Sequence, residues 1–118
     1  MRLRVTRSEL ARLSAGERVE ETICFSAAPD AALRYMLAVD PASEDVHVNY
    51  SAGAIATVIS SSRMSMWEKE SQVGIYATLD LGSAGSLEIA IEKDFACLDG
   101  SDEENHDTFA NPLQGKAC

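Results

Sequence analysis

A displacement of 54 residues lays the second half of this chain over the first. Val5 falls on Ile59, Thr6 on Ser60, Leu10 on Met64, Leu13 on Trp67, Val19 on Val73, Phe25 on Leu79, Leu33 on Leu87, Tyr35 on Ile89 and Leu37 on Ile91. The match is one of residue class and position, not identity. It predicts a β-α-β-β unit written twice, at 2–40 and 54–94, with a short strand at 46–50 inserted before the second copy. Chance is the rival explanation, because any small α+β chain repeats similar apolar spacings.

Local patterns give the elements. Leu3 and Val5 alternate with Arg2 and Arg4, which predicts a strand with one wet face. Thr6-Arg7-Ser8-Glu9 has the spacing of a capping box and starts a short helix through Leu10 and Leu13, ended near Gly16. Residues 18–26 and 31–40 form a predicted antiparallel hairpin with Val19, Ile23 and Phe25 on one face, interrupted by Glu21. After a Ser51-Ala52-Gly53 turn, 54–59 is β-prone, and Ser60 to Ser62 cap a second helix carrying Met64 and Trp67. Residues 73–81 and 87–94 then pair across Gly82 to Gly85. The expected fold is α+β, a mainly antiparallel sheet with two short helices in one domain, 1–118.

Leu87, Ile89 and Ile91 recur at every second position, so Glu88 and Glu92 face the other way. The alternation changes at Lys93-Asp94, after which Phe95, Ala96 and Leu98 carry the chain across an edge of the core. The acidic segment 95–118 that follows lacks a helical or strand period, yet Phe109 and Leu113 offer apolar anchors for docking it on the domain.

The net charge of −9 is unevenly placed. Residues 1–20 hold five arginines against three acids, while 92–107 hold seven acids against Lys93 alone. This distribution argues against a nucleic-acid partner, because phosphate neutralisation requires a concentrated basic surface. The acidic end is free to meet the arginine-rich start, in the same molecule or in a neighbour. No apolar run approaches the roughly 18 residues of a membrane span, and no signal-like segment follows Met1, so a cytoplasmic protein without membrane contact is expected.

The candidate functional residues are Glu92, Asp94, Phe95, Cys97 and Cys118. Glu92 and Asp94 are alternate strand residues and form a possible carboxylate pair, or they serve as partners for the arginines. Cys97 and Cys118 could form a transient bridge that staples the tail, and a thiol-dependent enzyme or redox factor would use Cys97. A metal ion held by Cys97 and His106 is a further alternative, although their nine-residue separation matches no compact ligand pair. No cofactor is predicted. Neither a Gly-rich phosphate loop, a CxxC pair, HExxH nor a nucleophile elbow occurs.

The segments MRLRVTRSELARLSAGERVEET, Trp67, Val73-Gly74, EKDFACL and Phe109-Ala110-Asn111-Pro112 together resemble an uncharacterised family of small bacterial proteins. The resemblance implies no activity, substrate or cofactor. It directs inspection to Asp94, Phe95 and Cys97. With no catalytic constellation in view, the expected role is a noncatalytic protein-binding or assembly domain, its partners being other proteins or a second copy.

Overall fold

The computed structural model describes residues 1–69, 72–95 and 107–109 of the chain. Among the described residues seven strands and two α-helices follow one another as β1 (Arg2–Val5), α1 (Arg7–Ser14), β2 (Val19–Cys24), β3 (Ala32–Val39), β4 (Val46–Ser51), β5 (Ala54–Ile59), α2 (Ser61–Trp67), β6 (Gly74–Asp80) and β7 (Ser86–Lys93). No helix among the described residues is long and apolar enough to cross a membrane.

The helices begin and end where side-chain chemistry dictates. At α1, Thr6 N–H donates to Glu9 Oε1 at 2.9 Å and Glu9 N–H to Thr6 Oγ1 at 3.3 Å, a reciprocal capping box. Gly16, at φ +87°, turns the chain out, and the Gly16 and Glu17 N–H groups return to the carbonyls of Leu13 and Arg12. At α2, Ser60 Oγ accepts the N–H of Arg63 at 3.2 Å. Between β4 and β5 both turn residues, Ala52 and Gly53, have positive φ, the geometry whose twist matches a two-residue hairpin.

Two compact units result, each with its own sheet. One comprises Met1–Ala11 with the described residues from Val73 onward, and the other the described residues of Arg12–Gln72. The first holds a three-stranded sheet in the order β1-β7-β6, the second a four-stranded sheet in the order β2-β3-β5-β4. Three of the five pairings are antiparallel, but β1 runs parallel to β7 and β3 parallel to β5. The expectation of a mainly antiparallel sheet is therefore corrected to two mixed sheets. Its physical source is plain: alternation assigns a strand its two faces but does not name its neighbours.

Both parallel pairings join the opening strand of one half to the closing strand of the other. In the first unit Arg2 lies opposite Ala90 and Leu3 opposite Ile91. In the second Ala56 lies opposite Met36 and Thr57 opposite Leu37, so every partner differs by 54 residues between the two ladders. The strand ends close alike: Asp94 N–H donates to the Val5 carbonyl, and Asp40 N–H to the Ile59 carbonyl, both at 2.9 Å. The hairpins depart from the common offset. Ile75 faces Ile91 where Val19 faces Leu37, so β6 stands 56 residues after β2.

The buried apolar residues of the first unit are Val5, Leu10, Ile75, Ile89 and Ile91; those of the second are Leu13, Leu37, Val46, Ile59, Met64 and Trp67. Met64 and Trp67 lie three residues apart on α2, one turn of a single face. Among the described residues no buried side-chain nitrogen or oxygen lacks a hydrogen-bond partner.

Candidate functional site

Three regions collect chemistry or exposed apolar surface. The first is on the polar face of the three-stranded sheet. Glu92 accepts a 3.0 Å ion pair from Arg2 Nε on one carboxylate oxygen and a 2.8 Å hydrogen bond from the Tyr76 hydroxyl on the other. Gly74 lies directly opposite Glu92, and its missing side chain makes the arrangement possible. A Cβ there would stand 2.8 Å from the Ile91 carbonyl oxygen and 3.2 Å from the Tyr76 hydroxyl. The hydrogen bond to Glu92, then burial, raises the Tyr76 pKa, because ionising the phenol would remove the donor and set a second negative charge beside the carboxylate.

The second region is the corner after β7. Asp94 supplies main-chain groups to two neighbours: its N–H to Val5 and its carbonyl to the N–H of Phe109 at 2.8 Å. Phe95 and Phe109 form a parallel bridge and an edge-on ring pair with centroids 6.2 Å apart. Lys93 Nζ lies 5.4 Å and the Arg7 guanidinium 5.9 Å from the Phe109 ring centre, within the range of cation–π attraction. Asp107 completes the corner. Its carbonyl accepts the Arg7 N–H at 2.9 Å, and its carboxylate accepts from the N–H and the hydroxyl of Ser8, placing a negative charge at the start of α1.

These contacts correct one reading of the sequence and locate others. The alternation does not change at Lys93: this residue continues the Ile89–Ile91 face and is 5% exposed. Arg2 and Tyr76 take up the Glu92 carboxylate, while Asp94 contributes its main-chain N–H and carbonyl. Glu92 does meet the arginine-rich start of the chain, through Arg2. Phe95 is half-buried against Phe109. Cys97, His106 and Cys118 lie outside the described residues, as do the bridge and the metal site that would use them. Among the described residues no three His, Cys, Asp or Glu side chains converge to hold a metal ion. Sequence reasoning missed Tyr76, Gly74 and Asp107; a glycine within a strand was the one available signal, and it marks a close approach without naming it.

The third region is one end of the four-stranded sheet. Alternation and register put Ile23, Leu33, Tyr35, Ile55 and Tyr50 on the face that bears buried Leu37, Thr57, Ile59 and Val46. Toward the β2–β3 turn that face opens. Ile23 is 43%, Phe25 69% and Tyr50 70% exposed, and Leu33, Tyr35 and Ile55 are half-buried between them. Residues 20–24 of β2 are all exposed, because β2 is an edge strand. Cys24, on the opposite face of β2, is a free, exposed thiol.

No curated protein and no solved structure matches this chain. The chain belongs to the family of unknown function DUF7009, whose family model matches residues 1–113.

Proposed function

We propose that this chain is a noncatalytic protein-binding or assembly domain whose contact surface is the open end of the four-stranded sheet. One observation carries the reading: all four strands, or the turn beside them, contribute exposed or half-exposed apolar side chains to one face, from Phe25 and Ile23 across Leu33, Tyr35 and Ile55 to Tyr50. Scattered apolar residues are ordinary on a protein surface, whereas a contiguous set beside a strand edge, here one that no described strand pairs with, is the usual mark of a contact site. The common 54-residue offset supports reading the halves as copies of one β-α-β-β unit, of which this sheet is the elaborated version, widened by β4.

A photo-crosslinking amino acid placed singly at Phe25, Tyr50 and, as a control, Thr78 of the full chain tests the proposal. Protein adducts at Phe25 and Tyr50 with none at Thr78 are expected in the source cells. Equal labelling at all three positions, or none at any, would overturn it.

A further inference from the structure

We infer that the face of the four-stranded sheet opposite the contact surface binds a small phosphate monoester with a hydroxyl-bearing body, its phosphate between Arg18 and Arg34 and its body toward the β2–β3 turn. The inference stands apart from the contact-surface reading, and either can fail without the other.

Strand alternation turns Glu20, Thr22, Ala32, Arg34, Met36 and Ala54 to this face. Thr22, Arg34 and Ala54 stand in one row across three strands. Ala32, next to Arg34 along β3, and Ala54, next to it on β5, are too small to fill the space around so long a side chain. Two recesses result, with Arg34 in the wall of both. One of about 140 Å³ opens toward Arg18, Glu20 and Met36, and one of about 400 Å³ toward Thr22, Asp30 and Gly53. The wider one falls within the roughly 300–1,000 Å³ of small-ligand sites. Arg34 is fixed at its root, where its N–H donates to the Gly53 carbonyl at 2.9 Å.

In the narrow recess one carboxylate holds two guanidinium groups together. Glu20 lies 3.4 Å from Arg34 Nε and 3.7 Å from Arg18 Nε, and Arg12 Nη2 donates to the Arg18 carbonyl at 3.1 Å. Two cations on one acid leave a positive excess, in a chain whose net charge is −9. Both ion pairs use Nε. The terminal nitrogens of Arg34 have no partner among the described residues, and Arg18 Nη1 has the Met36 sulfur at 3.7 Å, a weak acceptor. The outer edge of each guanidinium is therefore open to a pair of oxyanion oxygens, the geometry that arginine recognises best. A doubly charged phosphate reaches both groups and offsets the excess.

The wider recess selects the rest of the ligand. The Thr22 hydroxyl and the Asp30 carboxylate line it, and neither has a partner among the described residues. Asp30 repels a second anionic group and accepts hydrogen bonds from hydroxyls, so the body that fits is hydroxylated and uncharged. Arg18 and Arg34 are 67% and 60% exposed, so solvent screens them and the expected dissociation constant is about 1 mM.

NMR titration of the isotope-labelled full chain with glucose 6-phosphate tests the site, with inorganic phosphate and glucose as separate arms. Glucose 6-phosphate is expected to give saturable shifts at Arg18 and Arg34 Nε–H and at the Thr22 amide, inorganic phosphate weaker binding confined to the two guanidinium groups, and glucose none. Arg34→Gln and Arg18→Gln are each expected to weaken glucose 6-phosphate binding about tenfold with an unchanged circular dichroism spectrum, and Arg4→Gln on β1 to leave it unchanged. Asp30→Ala is expected to abolish the preference for glucose 6-phosphate over inorganic phosphate. Shifts that do not saturate, equal shifts at every arginine, inorganic phosphate bound as tightly as glucose 6-phosphate, or an affinity indifferent to both glutamine variants would each overturn the assignment.

Discussion

The two sheets are built on the same backbone scheme and put to different use. Each takes an antiparallel hairpin from one half and a parallel strand from the other, in registers 54 residues apart, closed by an aspartate N–H at the same point. In the three-stranded sheet the apolar face is buried through Ile75, Ile89 and Ile91, and the polar face carries the Arg2–Glu92–Tyr76 cluster. In the four-stranded sheet the corresponding face is buried only at the Ile59 end and opens at Phe25 and Tyr50. Tyr35 shows the divergence within one pair of positions: it is half-buried, while Ile89, 54 residues later, is buried. A backbone scheme fixes which residues share a face; side-chain identity decides whether that face is closed.

Deletions in the two cores test the likeness most strongly. Trp67→Ala is expected to cost about 3–5 kcal/mol, and Ile91→Ala and Leu37→Ala about 2–5 kcal/mol each, measured by chemical denaturation. Leu37 and Ile91 occupy matching ladder positions and are almost equally buried, so a Leu37→Ala cost far below that of Ile91→Ala would break the comparison.

Gly74→Ala probes what belongs to the three-stranded sheet alone. The added methyl meets backbone at 2.8 Å, which is expected to destabilise by about 1–3 kcal/mol and to displace the Tyr76 hydroxyl. Ultraviolet titration would then show Tyr76 returning toward its ordinary value; a Tyr76 that titrates as before would separate the glycine from the cluster.

The helix caps offer a smaller and more even test. Thr6→Ala and Ser60→Ala are each expected to cost about 1 kcal/mol, because each removes the acceptor for a first-turn N–H. Glu9 and Asp107 also serve the start of α1, so a clearly smaller loss at Thr6 would show these acceptors compensating.

Acid and alkali should separate the sheets by the smallest margin. The Arg63 hydrogen bond holds the Asp45 carboxyl below its ordinary 3.8, so the contribution of this pair is fully present above that value and lost as pH falls through the lower folded value. Tyr76 runs the other way. Its pKa is raised above 10.0, so its contribution is present below that value and lost as pH rises through the higher folded one. Asp45→Asn should flatten only the acid limb of a stability–pH profile and Tyr76→Phe only the alkaline limb; one substitution affecting both limbs would show the two pairs to be coupled.

Much of the local structure was legible in the residues. The capping box at Thr6, the Ser60 cap, the Ser51-Ala52-Gly53 turn and the alternation of Leu87, Ile89 and Ile91 each depend on groups a few positions apart, and such spacings survive in the linear order. The candidate site was less legible. Glu92 was visible as an outward acid, but its taking of both Arg2 and Tyr76 depends on a parallel neighbour from the far end of the chain. Lys93 reads as the end of the apolar face because a lysine ordinarily closes one, and only the tertiary setting shows it buried beside Phe109.

By itself, then, the amino-acid order determined which segments become strands and helices, where they start and stop, and which residues share a face. Tertiary structure alone decided that β1 lies beside β7 and β5 beside β3, and so which face closes and which edge stays open. The reason lies in the peptide backbone: its hydrogen-bonding groups are nearly the same at every residue, so strand partners are chosen by the burial that a whole sheet achieves.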